Sequence, residues 1–211
     1  MKRSRRGRFV SRAGEKLDAA LDAFGLNARG KVCADFGCNV GGFTDCLLRR
    51  GAAKVYAVDS GYGELAWRLR GSDRVVVMER TNALYCPVPE PVDLVAIDVG
   101  WTPQELIVPA AMRWLRPAAG DPGAGGRIVS LLKPHYELAK RQGFKPPRAL
   151  SDGEAKDVCL AVCRSLHEAG CLVRAVVRSA LRGKGGNAEF MLLLAAGPSK
   201  ADPRRNGRKA C

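Results

Sequence analysis

The apolar positions of this chain come in short, nearly unbroken runs. Val32-Cys33-Ala34, Val55-Tyr56-Ala57-Val58, Val75-Val76-Val77-Met78, Leu94-Val95-Ala96-Ile97 and Ile128-Val129-Ser130-Leu131-Leu132 are the clearest. Runs of this kind, rich in β-branched residues and bounded by glycine or charge, predict strands buried on both faces. Between them lie amphipathic segments of helical period, and the alternation predicts a parallel sheet with helices on both faces. Strands are expected at 31–36, 54–59, 75–79, 93–99, 127–133, 172–177 and 189–195, and helices at 11–24, 41–50, 63–69, 103–115 and 152–168. Ser11 is the expected cap of the first helix. The connection 178–188 is too short for a crossover, so the last strand is expected to run antiparallel. The expected fold class is therefore α/β, with a seven-stranded, mostly parallel sheet.

Two stretches break the rhythm. Residues 117–126 read as a surface loop, and residues 140–150, with Gly143, Pro146 and Pro147, as a flap beside the strand mouths. The expected organisation is a basic arm at 1–10, one domain at 11–197 and a basic tail at 198–211 whose composition predicts disorder.

Charge narrows the partner. The chain of 211 residues carries 35 Lys plus Arg against 21 Asp plus Glu, a net +14. Such an excess suits a polyanion through phosphate neutralisation and steering. The eight cysteines form no CxxC pair, and Cys159 and Cys163, one helical turn apart, lack the further ligands of a zinc site. No metal and a reducing, cytoplasmic location are expected. The N-terminus is basic without a signal-peptide core, and no apolar run approaches a membrane span, so no membrane partner is expected.

The candidate chemistry sits where predicted strands end. Asp35 closes the first strand, and Gly37, Cys38, Asn39, Val40, Gly41, Gly42 and Phe43 follow it into a helix. The glycines let backbone turn sharply and approach a ligand without a Cβ in the way. The loop lacks the Lys-Ser/Thr of a phosphate-binding loop and the G-x-G-x-x-G spacing of a dinucleotide site. Asp59 ends the second strand, where a carboxylate commonly takes ribose hydroxyls. Two carboxylates beside a glycine turn suit a cationic nucleoside, and S-adenosyl-L-methionine fits both. Lys16, Asp98, Lys133 and Glu189, far apart in sequence, are all expected at the sheet mouth, and two lysines with two carboxylates suggest chemistry on a hydroxyl. Among the aromatics, Trp101 at a strand mouth is the expected base-stacking residue, whereas Trp67, at helical spacing, is expected in the core.

Ordered motifs carry a family resemblance. Ser11-Arg12-Ala13-Gly14-Glu15-Lys16-Leu17, Gly41-Gly42-Phe43-Thr44-Asp45-Cys46, Val55-Tyr56-Ala57-Val58-Asp59, Gly61-Tyr62-Gly63-Glu64-Leu65-Ala66-Trp67, Glu79-Arg80-Thr81-Asn82, Ile97-Asp98-Val99, Leu132-Lys133-Pro134 and Gly186-Asn187-Ala188-Glu189-Phe190 follow one another in a consistent order. Together they resemble the FtsJ-like RNA methyltransferases, in particular their TlyA (hemolysin A) branch. The resemblance implies a Rossmann-like, S-adenosyl-L-methionine-dependent fold and 2′-O-methylation of ribose, with ribosomal RNA or a ribosomal subunit as partner. It implies a catalytic tetrad at Lys16, Asp98, Lys133 and Glu189. Cofactor contacts are implied at Asp35, Gly37, Cys38, Asn39, Gly41, Gly42, Phe43, Asp59, Thr81, Asn82 and Asp98. RNA contacts are expected from Arg5, Arg6, Arg8, Arg12, Trp101 and His135. The branch carries an N-terminal S4 RNA-binding domain, where this sequence has only the basic arm. It also has Ser-Phe after the aspartate where this chain has Gly100-Trp101, and Gln-Phe-Glu where this chain has His135-Tyr136-Glu137. A second reading keeps the fold without the reaction, as an RNA- or ribosome-binding assembly factor.

Overall fold

The short apolar runs form the strands they predict. The computed structural model describes residues 7–118, 125–143 and 148–197. Its strands are β1 (Val32–Phe36), β2 (Lys54–Val58), β3 (Val75–Met78), β4 (Leu94–Ile97), β5 (Arg127–Leu132), β6 (Cys171–Arg178) and β7 (Phe190–Ala196). They make one sheet in the order β3-β2-β1-β4-β5-β7-β6. The first five are parallel, and β7 lies between β5 and β6, antiparallel to both. The chain leaves β1 toward β2 and β3, then returns to build β4 and β5 on the other side. The carboxyl ends of β1 and β4 thus flank the topological switch point, where open α/β sheets open a crevice.

The helices are α1 (Arg12–Ala23), α2 (Gly42–Arg49), α3 (Trp67–Arg70), α4 (Gln104–Met112), α5 (Pro134–Gln142) and α6 (Asp152–Glu168). One face of the sheet buries Leu17 and Leu21 of α1, Phe43 and Leu47 of α2 and Leu69 of α3. The other buries Ile107 and Val108 of α4, Val162 and Leu166 of α6, and Trp114, whose ring meets Phe36 edge-on at 5.2 Å. Helices on both faces and a Rossmann-like sheet are as expected.

Several local expectations fail for identifiable reasons. The helix expected at 63–69 shrinks to Trp67–Arg70. Gly63 is left-handed at φ +79°, its N–H donates to Glu79, and the Gly61 N–H donates to Asp59, so carboxylates draw this backbone into turns. Trp67 is 86% exposed, not core. Ser11 stands at the N-cap of α1, yet its hydroxyl makes no capping bond. Helix α5 was not expected: Pro134 at its first position tolerates the missing N–H and starts it directly after β5. It takes the first residues of the expected flap as far as the left-handed Gly143, and Leu150 is buried in the core beyond it. Residues 144–147 of that flap, the tail from 198, and Arg5 and Arg6 of the arm lie outside the described residues. Among the described residues, no helix is long and apolar enough to cross a membrane.

Candidate active site

At the switch point a cavity of about 500 Å³ opens over the ends of β1 and β4, a volume suited to a nucleoside-sized ligand. Its floor is the glycine loop. Gly37, Cys38, Asn39, Gly42 and Phe43 line it, with Asp35 and Asp59 from β1 and the end of β2, and Asp98 and Lys133 from the ends of β4 and β5. The loop turns because Gly37 and Gly41 adopt φ of +81° and +94°, with Gly41 capping α2 in the left-handed region. A Cβ on Gly37 would lie 2.6 Å from the Asp98 carbonyl oxygen, so β1 and β4 approach this closely only with glycine there. Gly37→Ala should cost about 2 kcal/mol, a fall of roughly 4–8 °C in Tm, and should weaken cofactor binding in calorimetry.

Gly42 packs on α1, where Gly14 leaves room: a Cβ on Gly14 would sit 2.9 Å from the Gly42 carbonyl oxygen. This close crossing of α1 and α2 sets Lys16, two residues further along α1, toward β7. Lys16 pairs with Glu189, which stands just before β7. Their side chains are 11% and 3% exposed. Gly183 makes space for that pair, because a Cβ there would overlap the Glu189 carboxylate. The second pair is Lys133 with Asp98, Nζ to Oδ1 at 2.6 Å, and Lys133 also donates to the Val99 carbonyl at 3.3 Å. Lys133 and Asp98 belong to the cavity wall, whereas Lys16 and Glu189 form their pair outside its lining.

The two aspartates hold different positions. Asp59 accepts from the Asn39 N–H at 2.8 Å and the Gly61 N–H at 2.7 Å, which fixes the carboxylate at the rim and leaves lone pairs for a diol. Asp35 is fully buried and accepts from both the N–H and the hydroxyl of Thr44 through Oδ2, while Oδ1 has no hydrogen-bond partner. Burial pushes the Asp35 carboxyl up to about 7; Asp98 and Asp59 add to that, and the Thr44 bonds oppose it. A buried acceptor without a partner, in a cavity with further carboxylates, fits the ammonium and sulfonium of S-adenosyl-L-methionine, and the rim carboxylate of Asp59 fits its ribose.

A pH dependence follows. The folded Asp35 pKa lies above the ordinary value of about 3.9, so its contribution to stability is full below that value and is lost as pH rises to about 7. A cationic ligand favours the ionised form, so its affinity should rise roughly tenfold between pH 6 and pH 8. Asp35→Asn should flatten that profile in calorimetric titrations.

Thr81 and Asn82 lie off the cavity lining: Thr81 donates to the Glu79 carbonyl, and the Asn82 side chain accepts from the Leu84 N–H. Trp101 is 71% exposed at the cavity edge, its ring 5.3 Å from that of Tyr136. Arg8 and Arg12 are exposed. His135 is buried, its ring against Tyr136, so the expected RNA contact at this position is dropped. Glu137 has a bracing role that its place in the motif does not reveal. This buried carboxylate accepts from the Gln104 N–H at the start of α4, and Gln104 in turn accepts from Ser130 of β5. It joins α5 to α4 and so fixes the loop that carries Trp101. Its spacing, one turn after Lys133, was the available signal. Among the described residues, no group of three His, Cys, Asp or Glu could hold a metal ion.

Known proteins agree with this geometry. The 16S/23S rRNA (cytidine-2′-O)-methyltransferase TlyA of Mycobacterium tuberculosis is 42% identical over 88% of this chain and 68% of its own length. A solved structure of a candidate hemolysin from Streptococcus thermophilus superposes with a TM-score of 0.82 at 33% identity, over 93% of this chain and 70% of that one. A second, from Lactococcus lactis, gives 0.76 at 33% identity over 89% and 88%. The family model for FtsJ-like methyltransferases matches residues 9–196, which takes in the glycine loop, both aspartates and all four paired residues. A methyltransferase assignment and a cavity suited to a cationic nucleoside agree on S-adenosyl-L-methionine as the cofactor. The chain belongs to the FtsJ-like methyltransferase family.

Proposed function

We propose that this protein methylates the 2′-hydroxyl of a ribose in ribosomal RNA, free or within a subunit, in the cytoplasm. The observation that carries the reading is the Lys133–Asp98 pair on the wall of the switch-point cavity, with a second, buried pair, Lys16–Glu189, outside its lining. The M. tuberculosis relative, named for cytidine-2′-O-methylation of 16S and 23S rRNA, and the net charge of +14 support the substrate class.

The cofactor supplies an activated methyl group on a sulfonium. The chain's own residues do the rest. Asp35, Gly37, Cys38, Asn39, Gly41, Gly42, Phe43 and Asp59 hold that cofactor at the ends of β1 and β2. A ribose hydroxyl attacks poorly until its proton is taken, and Lys133 Nζ, after releasing its own proton to solvent, is the proposed acceptor. Asp98, in the cavity wall, stabilises the ammonium so formed. Lys16 and Glu189 position the hydroxyl and the Lys133 chain. Trp101, exposed beside Lys133, stacks on a base, while Arg5, Arg6, Arg8 and Arg12 take phosphates. Holding the hydroxyl in place against the bound cofactor would lower the barrier further.

The test incubates the protein and labelled S-adenosyl-L-methionine with unmodified ribosomal RNA and with intact subunits. Transfer of label to RNA is expected. Cofactor binding without transfer to any RNA would leave the assembly-factor reading in its place.

A further inference from the structure

A second basic feature lies away from the cavity. On the outer flank of α2, an open cleft of about 280 Å³ is lined by Arg49, Arg68 and Arg74, with Asp45, Leu48 and Ser72 between them. Asp45 organises it. This carboxylate, 3% exposed as a residue, accepts from Arg49 Nε at 3.0 Å, from Arg68 Nη2 at 2.6 Å and from the Val10 N–H at 2.9 Å. The Arg49 and Arg68 side chains remain 44% and 52% exposed. Arg74 is anchored differently, donating from Nη1 to the Ala52 and Leu48 carbonyls at 3.1 and 3.4 Å. Two guanidiniums therefore share one buried carboxylate, the third stands on backbone carbonyls, and three arginines against Asp45 leave the cleft a surplus of two positive charges.

Two neighbours extend the cleft. Trp67 opens the short helix that carries Arg68 and is 86% exposed, a large apolar cost at a surface that buries nothing with it. On the other side, Arg8 and Arg49 lie over the Phe9 ring at 5.0 and 5.7 Å, which brings Arg8 beside the same cleft. Helix α2 runs from Gly42 in the cofactor loop to Arg49 in the cleft, about 10 Å along its axis. Forked guanidiniums fixed in place, with an exposed indole one residue along the chain from Arg68, match the groups that grip a nucleic-acid backbone and stack an unpaired base. An anionic membrane would meet a flat basic face, and an acidic peptide would leave the indole unused.

We propose that this cleft is a second RNA contact, in which Arg49, Arg68 and Arg74 hold backbone phosphates flanking the target nucleotide and Trp67 stacks on an unpaired base. The inference rests on the RNA reading above and gives it an anchor on the α2 flank. It explains why the sequence places a tryptophan where helical spacing predicted core.

The experiment compares wild type, Arg49→Gln/Arg68→Gln and Trp67→Ala. The glutamine amides keep a donor for buried Asp45, and removing an 86% exposed indole spares the fold. Each protein is titrated with S-adenosyl-L-methionine alone and with unmodified ribosomal RNA at a series of salt concentrations. The cofactor affinity of both variants should match wild type, which reports an intact domain. RNA affinity should fall about tenfold or more in each, and the slope of log K against log salt should flatten by about one to two in the arginine variant only. Unchanged RNA affinity and slope in both variants, with wild type methylating RNA, would overturn the cleft and leave the function standing. Absence of RNA binding and methylation by wild type would instead remove the function on which the cleft depends.

Discussion

Lys133→Ala should lower methyl transfer about a thousandfold while cofactor affinity stays within a few-fold of wild type. Loss of a group that takes a proton in the transition state costs between about 10² and 10⁴ in rate. The geometry argues that little else changes. Lys133 follows β5 and caps α5 through its backbone, which alanine retains, and its side chain reaches Asp98, the Val99 carbonyl and the Tyr136 ring at 5.9 Å. Asp98 is itself 20% exposed, so its carboxylate keeps some solvent when the ammonium is removed, and the stability cost should stay near 1 kcal/mol. Lys133→Arg separates charge from proton transfer. A guanidinium pairs with Asp98 as well as an ammonium does, but it does not give up its proton in a protein. Arginine should therefore restore stability and leave turnover as low as alanine does. Recovery of activity with arginine would show that position 133 supplies only charge.

The second large effect concerns the buried pair. Glu189→Ala leaves Lys16, with a side chain 11% exposed, without its carboxylate in a protein interior. Breaking such a pair costs about 3–5 kcal/mol, because the remaining charge is uncompensated. On a domain of this size the melting temperature should drop by roughly 10 °C. The double change Lys16→Met/Glu189→Leu removes both charges and keeps the volume. It should recover most of the lost stability, since a well-packed apolar pair often replaces an ion pair without penalty. Activity should not return. A double variant that is both stable and active would reduce this pair to a structural element joining α1 to β7.

Much of this fold is legible because buried parallel strands announce themselves as unbroken apolar runs. All seven strands fall where Val-, Ile- and Leu-rich segments placed them, and the short 178–188 connection foretold the antiparallel β7. What was illegible depends on long-range partners. Nothing local in residues 60–66 reveals that Asp59 and Glu79 draw in the N–H groups of Gly61 and Gly63 and replace a helix with turns. The exposure of Trp67 follows from the same change. Helix α5 was hidden because Lys133-Pro134 reads as the end of a strand, whereas Pro134 is a sound first helical residue.

The candidate site divides in the same way. Asp35, the glycines and Asp59 were readable from their place at strand ends. The tetrad residues were named separately, but the partnership of Lys16 with Glu189, 173 positions apart, exists only in three dimensions. So does the split between a pair in the cavity wall and a pair outside it. Glu137 was visible as a motif letter and not as the brace between α4 and α5.

The central claim is that the lysine–carboxylate pairs act on a ribose hydroxyl. RNA methylated by the wild-type protein, digested to nucleosides and separated by mass spectrometry, tests it most directly. Methyl on the ribose of a nucleoside is expected, with Lys133→Ala leaving that product near background. Methyl on a base, or a ribose product unchanged by Lys133→Ala, would contradict it.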